Sequence, residues 1–179
     1  MRIELKVVNK GFYEDYQLPH YATQGSAAID LVCTEDITIY PGETKMIPTG
    51  LAIWIGSGVD ELRGSSTEGE PTGTDLGVAG LILPRSGLGT KGLVLANTVG
   101  LIDEDYQGEL MVSAWNRNND IIGNRTTNLQ FNQVPIELKA GDRFAQLTFI
   151  PVIRAKFDIV EEFSNNTHRG ASGFGSTGK

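Results

Sequence analysis

Short apolar runs separated by glycine and proline constrain the fold of this 179-residue chain more than any other feature. Residues 2–8 alternate polar and apolar side chains, and further strand-like runs occur at 27–33, 37–55 and 136–153. The chain carries 22 glycines, which is typical of many tight turns. No stretch keeps the apolar period of a long amphipathic helix. The pattern therefore predicts an all-β barrel or jelly roll, with one short helical turn after Pro84.

Proline and polar residues set the expected element boundaries. The run 37–55 is expected to form two or three short strands, broken at Pro41-Gly42 and again at 48–50, because proline favours strand edges and corners. Residues 11–26 are polar and turn-rich, which favours an irregular connection. Residues 155–163 are strand-like and predict one last strand.

Composition and charge exclude several classes of function. The net charge of −7 and the acidic pI of about 4.8 argue against a broad nucleic-acid-binding surface. No apolar run reaches the length of a membrane span, so no membrane partner is expected. Cys33 is the only cysteine, which excludes an internal disulfide framework and favours a cytoplasmic protein.

The acidic turn in GLIDEDYQGEL (100–110) is a candidate catalytic element. Strand-like runs at 93–99 and 110–115 flank it, which predicts a β-hairpin. Asp103 follows Leu101 and Ile102 directly, so we expect it at the edge of apolar packing. A carboxylate so placed would hold a water molecule as a general base does, although acidic residues in ordinary turns are also common.

Two glycine-containing segments are candidates for phosphate binding. GFGSTGK (173–179) has the G-x-x-x-x-G-K spacing of a P-loop but lacks the Ser or Thr after the Lys and the following helix, so a P-loop is rejected. Its backbone N–H groups still suit phosphate, and Arg169 adds a guanidinium. In the second segment, Pro84-Arg85-Ser86-Gly87, arginine supplies a planar fork of donors and glycine permits close approach. Either segment is also compatible with a purely structural or mobile role.

The chain is expected to hold one β domain, 1–163, and a flexible arm, 164–179, which is too small and polar to form a core. Within the domain, 56–79 and 117–134 are rich in small and polar residues and are interpreted as loop insertions.

Five segments together resemble the homotrimeric dUTP pyrophosphatase (dUTPase) family. They occur in that family's order and are AAIDL (27–31), PRSGLGTKG (84–92), GLIDEDYQGEL (100–110), GDRFAQL (141–147) and RGASGFGSTG (169–178). The resemblance implies a jelly-roll subunit, a homotrimer with three active sites, and Mg²⁺-dependent hydrolysis of dUTP to dUMP and pyrophosphate. Such an activity keeps uracil out of DNA and supplies dUMP for dTMP synthesis.

The resemblance also implies a role for each matching residue. Asp103 would activate the attacking water, and Tyr106 would pack under the deoxyribose. Asp30 would orient metal-bound water without binding the metal directly. The other implied nucleotide contacts come from three places: the phosphate-binding residues Arg85, Ser86, Gly87 and Gln146, the uracil-reading segment with Asn97, Gly100, Leu101 and Ile102, and the closing arm with Arg169, Phe174, Gly175, Ser176 and Thr177.

Two departures and two alternatives accompany this interpretation. The family pattern has glycine where Ala28 and Ser172 stand, and serine at a left-handed position would weaken closure of the arm. A dCTP deaminase shares the fold, but it uses a glutamate base and lacks the Asp-x-Asp-Tyr turn. The other alternative is a protein-binding role through 56–79 or 117–134, alone or added to the enzyme.

Overall fold

A computed structural model describes residues 1–56, 76–118 and 134–171. Within them, ten strands form two four-stranded sheets and one two-stranded sheet, with every pairing antiparallel. In chain order the strands are β1 Glu4–Val7, β2 Ile29–Val32, β3 Ile37–Ile39, β4 Thr44–Trp54, β5 Leu76–Pro84, β6 Leu93–Leu95, β7 Gly100–Ile102, β8 Glu109–Asn116, β9 Ile136–Leu138 and β10 Arg143–Ile153.

The two larger sheets enclose one core. Sheet I has the strand order β1-β4-β8-β6, sheet II has the order β2-β10-β5-β7, and β3 pairs with β9. Both large sheets contribute fully buried side chains, such as Ile47 and Val112 from sheet I and Leu31 and Leu147 from sheet II. Along β8 the buried and more accessible positions alternate, as expected for a strand with one face on the core. The predicted all-β jelly-roll class is confirmed, and the sheets do not close into a barrel.

Two short helices accompany the strands in the described part of the chain. The helix α2, Ser86–Thr90, confirms the helical turn expected after Pro84. The helix α1, Lys10–Asp15, lies where an irregular connection was predicted, so that prediction is wrong. Six residues are too few to give a visible apolar period, but Asn9 caps the helix through a bond from the Phe12 N–H to its side chain, 3.1 Å long. None of the described helices is long and apolar enough to cross a bilayer.

The expected interruption at 48–50 is a distortion within a single strand. β4 runs through Pro48, but its register against β8 shifts between Pro48 and Ala52. Thr49 is fully buried and donates its hydroxyl to the Leu110 carbonyl at 2.8 Å. Gly50 has φ +67°, and its N–H donates to a Glu109 carboxylate oxygen at 2.8 Å. Glycine tolerates this conformation, so the strand bends without ending.

The strands on either side of the acidic turn pair with each other as predicted, but the segment between them joins the other sheet. β6 pairs with β8, with Leu95 opposite Ala114. Between them the chain forms β7, which leaves sheet I and pairs with β5 in sheet II. The connection therefore crosses from one sheet to the other, which local sequence patterns do not reveal.

The last strand predicted at 155–163 is absent from this chain. These residues have no regular secondary structure, and Phe157 and Phe163 are each 90% exposed. An apolar run forms a strand only where a neighbouring strand accepts its backbone hydrogen bonds. Nothing in the described residues of this single chain supplies that neighbour.

We predict that the Tyr13 hydroxyl contributes to stability in a pH-dependent way. It donates to the Thr49 carbonyl at 2.8 Å, and burial, with the nearby Glu109 carboxylate, raises the pKa of Tyr13 to about 12. Tyr13→Phe should lower the free energy of unfolding by about 1 kcal/mol at pH 7. Because the folded-state pKa is raised, this contribution is complete below pH 10 and is lost as the pH rises to 12.

Chemical denaturation of both proteins from pH 7 to 12 measures this difference. Tyr21→Phe, at an exposed tyrosine, is the matched control and should behave like the parent. A stability difference between the Tyr13→Phe and parent proteins that stays constant up to pH 12 would contradict the prediction.

Candidate active site

Three adjacent strands bring the first predicted site residues together. In sheet II, β10 lies between β2 and β5, with Gln146 opposite Asp30 on one side and Leu83 on the other. The Gln146 side-chain amide donates to the Pro84 carbonyl at 2.9 Å. This contact fixes the end of β5, so Arg85 emerges beside the same two strands. Residues from three separate motifs therefore meet through strand register.

Asp30 is the electrostatic centre of this group. One carboxylate oxygen lies 2.8 Å from Arg85 Nε, and the other lies 3.2 Å from Arg143 Nη1. Arg85 Nη1 also donates to the Arg143 carbonyl at 3.0 Å. Two guanidinium groups and one carboxylate leave a net positive charge in a chain whose total charge is −7. This local excess favours an anionic ligand.

Arg143 was not among the residues predicted from the sequence. The signal that could have found it is its place in GDRFAQL (141–147), three residues before Gln146. Arginines beside a carboxylate are common on protein surfaces, so the sequence alone does not separate this one from others. In the structure, Arg143 differs from other surface arginines because it shares its partner Asp30 with Arg85.

An open cleft of about 540 Å³ adjoins the charged group. Arg85, Ser86, Gly87 and Gln146 line one part of it, and small residues, including Ala28, line another. The first turn of α2 starts at Ser86, where backbone N–H groups have no acceptor within the helix. The cleft therefore offers cationic, hydroxyl and backbone donors around a space of the size that ligands occupy.

The segment proposed to read a base forms a tight turn followed by β7. The Thr98 N–H donates to the Leu95 carbonyl at 3.1 Å, and Thr98 has φ 64°. Gly100 is buried against Ile82 of β5, whereas Leu101 is 61% exposed. Asn97 is exposed at the tip of the turn. Since β7 is the last strand in the order of sheet II, one of its backbone edges faces away from β5.

Asp103 and Tyr106 occupy the turn after β7. The Tyr106 N–H donates to the Asp103 carbonyl at 3.2 Å, and the Tyr106 hydroxyl donates to the Glu109 carbonyl at 3.0 Å. Asp103 is exposed in this chain, contrary to the expectation that it lies at the edge of apolar packing. Strand alternation explains the difference, because Asp103 falls on the same outward side as exposed Leu101, while Ile102 is partly buried.

The turn with Asp103 and the cleft with Arg85 lie apart in the single chain. Both are positioned by β5: Gly80 pairs with Ile102, the residue before Asp103, and Arg85 follows the last residue of the strand. Arg85 lies five residue steps after Gly80, which corresponds to about 16 Å of extended strand. One chain therefore does not bring all the predicted site residues together.

The predicted closing arm is described only in part. Arg169 lies in an exposed turn region of 164–171. Phe174, Gly175, Ser176 and Thr177 lie outside the described residues, as does the departure at Ser172. Among the residues that the structure describes, no group of three or more His, Cys, Asp or Glu side chains is arranged to hold a metal ion.

The two-sheet fold agrees with the comparison to known proteins. The dUTPase family model matches residues 70–178. The chain belongs to the dUTPase family. Deoxyuridine 5'-triphosphate nucleotidohydrolase from Haemophilus influenzae (strain PittEE) is 45% identical over 181 residues, covering 99% of this chain and 98% of its own. These relatives support a dUTP hydrolase and not the alternative dCTP deaminase.

Solved dUTPases share the fold along nearly the whole chain. The dUTPase of Staphylococcus bacteriophage 80alpha with dUPNHPP has a TM-score of 0.73, 25% identity and 99% coverage of both chains. A variant dUTPase from phage phi11 of S. aureus, which coordinates a structural Mg(II) ion, has a TM-score of 0.67 and 21% identity. This likeness covers 92% of this chain and 100% of the phage chain.

Close packing of β7 on β5 gives a prediction about Gly100. A Cβ at Gly100 would lie 3.0 Å from the Cβ of Ile82, an atom that cannot move without its backbone. We expect Gly100→Ala to lower the free energy of unfolding by about 1–3 kcal/mol through this overpacking. Thermal and urea denaturation measure the change.

Gly89→Ala is the matched control, because a Cβ there meets nothing within 4 Å. It lies in α2, where alanine should be neutral or slightly stabilising. Equal stability of the Gly100→Ala and Gly89→Ala proteins would show that the contact between β7 and β5 tolerates a methyl group.

Proposed function

We propose that this dUTPase hydrolyses dUTP to dUMP and pyrophosphate by attack of water on the α-phosphorus, with Asp103 as the general base. The observation that carries the proposal is the cleft in which Arg85, Ser86, Gly87 and Gln146 surround space for a phosphate chain. The family membership supports dUTP as the substrate. The product dUMP serves dTMP synthesis, and removal of dUTP keeps uracil out of DNA.

Uracil selection fits the free edge of β7. In a strand paired on one side only, every second residue directs its N–H and C=O away from the neighbouring strand. Uracil has an acceptor–donor–acceptor edge, which the outward-directed backbone N–H and C=O groups of β7 match. The amino group of cytosine would place a donor against a donor, and burying an unpaired donor is costly. The tight turn at Asn97 and Thr98 limits the room for the methyl group of thymine.

Tyr106 fits a role in sugar selection. Its hydroxyl donates to the Glu109 carbonyl, and its hydroxyl end lies against Gly108, where there is no room for a Cβ. The hydroxyl end of the ring is thus held in place, while 43% of the residue stays exposed. A fixed aromatic surface under the deoxyribose would exclude a ribose 2′-hydroxyl by contact.

Assembly as a homotrimer accounts for two properties of the single chain. Asp103 and Arg85 are separated along β5, yet both are assigned to one nucleotide, so residues of a second copy would complete each site. The exposed apolar run at 155–163 needs a surface that the described part of its own chain does not offer. We infer that neighbouring subunits supply both, as in closed symmetric assemblies.

Magnesium is assigned through the nucleotide and not through a cage of protein ligands. The described residues include no cluster of three acidic, His or Cys side chains, so triphosphate oxygens and water would hold the ion. The ion would neutralise developing charge on the phosphates. Asp30 already pairs with two arginines, and we assign it to orient those arginines and, through water, the metal.

The C-terminal arm, 164–179, would close the site. Arg169 and Thr177 would bind phosphate, and Phe174 would lie on the uracil, together excluding bulk water from the reaction.

We place the enzyme in the cytoplasm, in keeping with a free, buried Cys33. A protein-binding role through 56–79 or 117–134 is the second candidate, because the 80alpha dUTPase is described as controlling the transfer of virulence genes.

Asp103→Asn tests the general base. The substitution keeps the shape of the side chain but removes its proton-accepting charge, so kcat should fall by about 10²–10⁴-fold with nucleotide binding retained. Pyrophosphate release from dUTP and binding of a non-hydrolysable analogue are the measurements. A kcat within threefold of the parent enzyme would remove Asp103 from this role.

Mixed trimers test whether sites are shared between subunits. Asp103→Asn and Arg85→Ala chains, each inactive alone, should regain activity when co-expressed with different tags and purified together. Purification through both tags leaves only mixed trimers, each with one intact site of three, which gives about a third of the parent activity. Sites contained within one chain would give no recovery, and light scattering of the pure proteins would report the trimer itself.

A further inference from the structure

Glu104, the residue after Asp103, is anchored to the sheet framework at two points. Its side-chain carboxylate forms an ion pair with Arg154 Nη2, and the side chain is only 18% exposed. Its backbone carbonyl accepts the Gly56 N–H at 2.9 Å. Glu104 lies within the GLIDEDYQGEL segment (100–110), but neither Glu104 nor Arg154 was among the predicted site residues.

A glycine in β5 makes room for this ion pair. A Cβ at Gly77 would lie 3.0 Å from Glu104 Oε2 and 3.1 Å from Arg154 Nη2. Gly77 is also opposite Val152 in the pairing of β5 with β10, and Arg154 directly follows the last residue of β10. The ion pair therefore lies directly on two paired strands of sheet II.

The anchor and the strand pairing fix the turn from both sides. β7 holds the chain up to Ile102 through its pairing with β5. Glu104 holds the chain again two residues later, so the backbone of Asp103 is restrained between two fixed points. The side chain of Asp103 itself is exposed and needs such restraint to aim at one phosphorus.

We propose that Glu104, held by Arg154 over Gly77, is a positioning residue that aims the Asp103 carboxylate at the attacking water. The inference rests on the proposed role of Asp103. A misaimed base reduces the rate of the chemical step, while nucleotide binding, which depends on other residues, stays nearly unchanged. A displacement of about 1 Å in a reacting group costs up to 10²-fold in rate.

The test measures kcat and KM for dUTP in Glu104→Ala, Glu104→Gln and Arg154→Met enzymes. Glu104→Ala and Arg154→Met should lower kcat by about 10–100-fold, with KM within threefold of the parent value. Glu104→Gln should keep more activity than Glu104→Ala, because its amide oxygen still accepts a hydrogen bond from Arg154. Lys139→Met removes one partner of the exposed Lys139–Asp36 ion pair, to which no role in the site is assigned, and, as the control, should stay within twofold of the parent.

Titration with a non-hydrolysable dUTP analogue counts the competent sites and separates positioning from folding. If Glu104→Ala does not fold, Glu104→Gln and Arg154→Met decide by the same measurement. The positioning role is overturned if kcat per competent site stays at the parent level in the folded variants, or if Lys139→Met loses as much. An Asp103→Asn enzyme with nearly full activity would instead overturn the general base on which the inference rests.

Discussion

The register of β10 between β2 and β5 is the constraint on which the proposed phosphate-binding cleft depends. It sets Gln146 opposite Asp30 and Leu83, and the Gln146 amide then fixes the Pro84 carbonyl. A shift of one residue would turn these side chains to the other face of the sheet. Arg85 and its partner Asp30 would then no longer meet. The cationic character of the cleft is thus a property of strand pairing and not of arginine content.

The other end of sheet II carries the turn with Asp103. Among the described residues, β7 is the last strand of this sheet, with one edge paired to β5 and the other facing away from it. The anchor of Glu104 on Arg154 lies where β5 begins and β10 ends. Arg154 also starts the segment that leads to the C-terminal arm. The same two strands therefore position the phosphate cleft, the acidic turn and the start of the arm.

Because these two ends of sheet II lie apart, the single chain does not bring all the predicted site residues together. The sheet is rigid, so Arg85 and Asp103 do not approach each other through a small movement. The single chain also leaves large apolar side chains such as Phe157 and Phe163 exposed to solvent. The proposed assembly would explain both features, because a neighbour's surface would reach the site and the segment 155–163.

The sequence by itself determined the all-β class, the helical turn at Ser86 and the family, because turn chemistry and short motifs are local properties. Tertiary structure decided the rest. The capped helix at Lys10–Asp15 was too short to show a period, and Arg143 became a site residue only through its contact with Asp30. The run at 155–163 has strand-forming residues but no strand, since a strand exists only where another strand pairs with it. Pairing between distant segments is the information that local patterns do not carry.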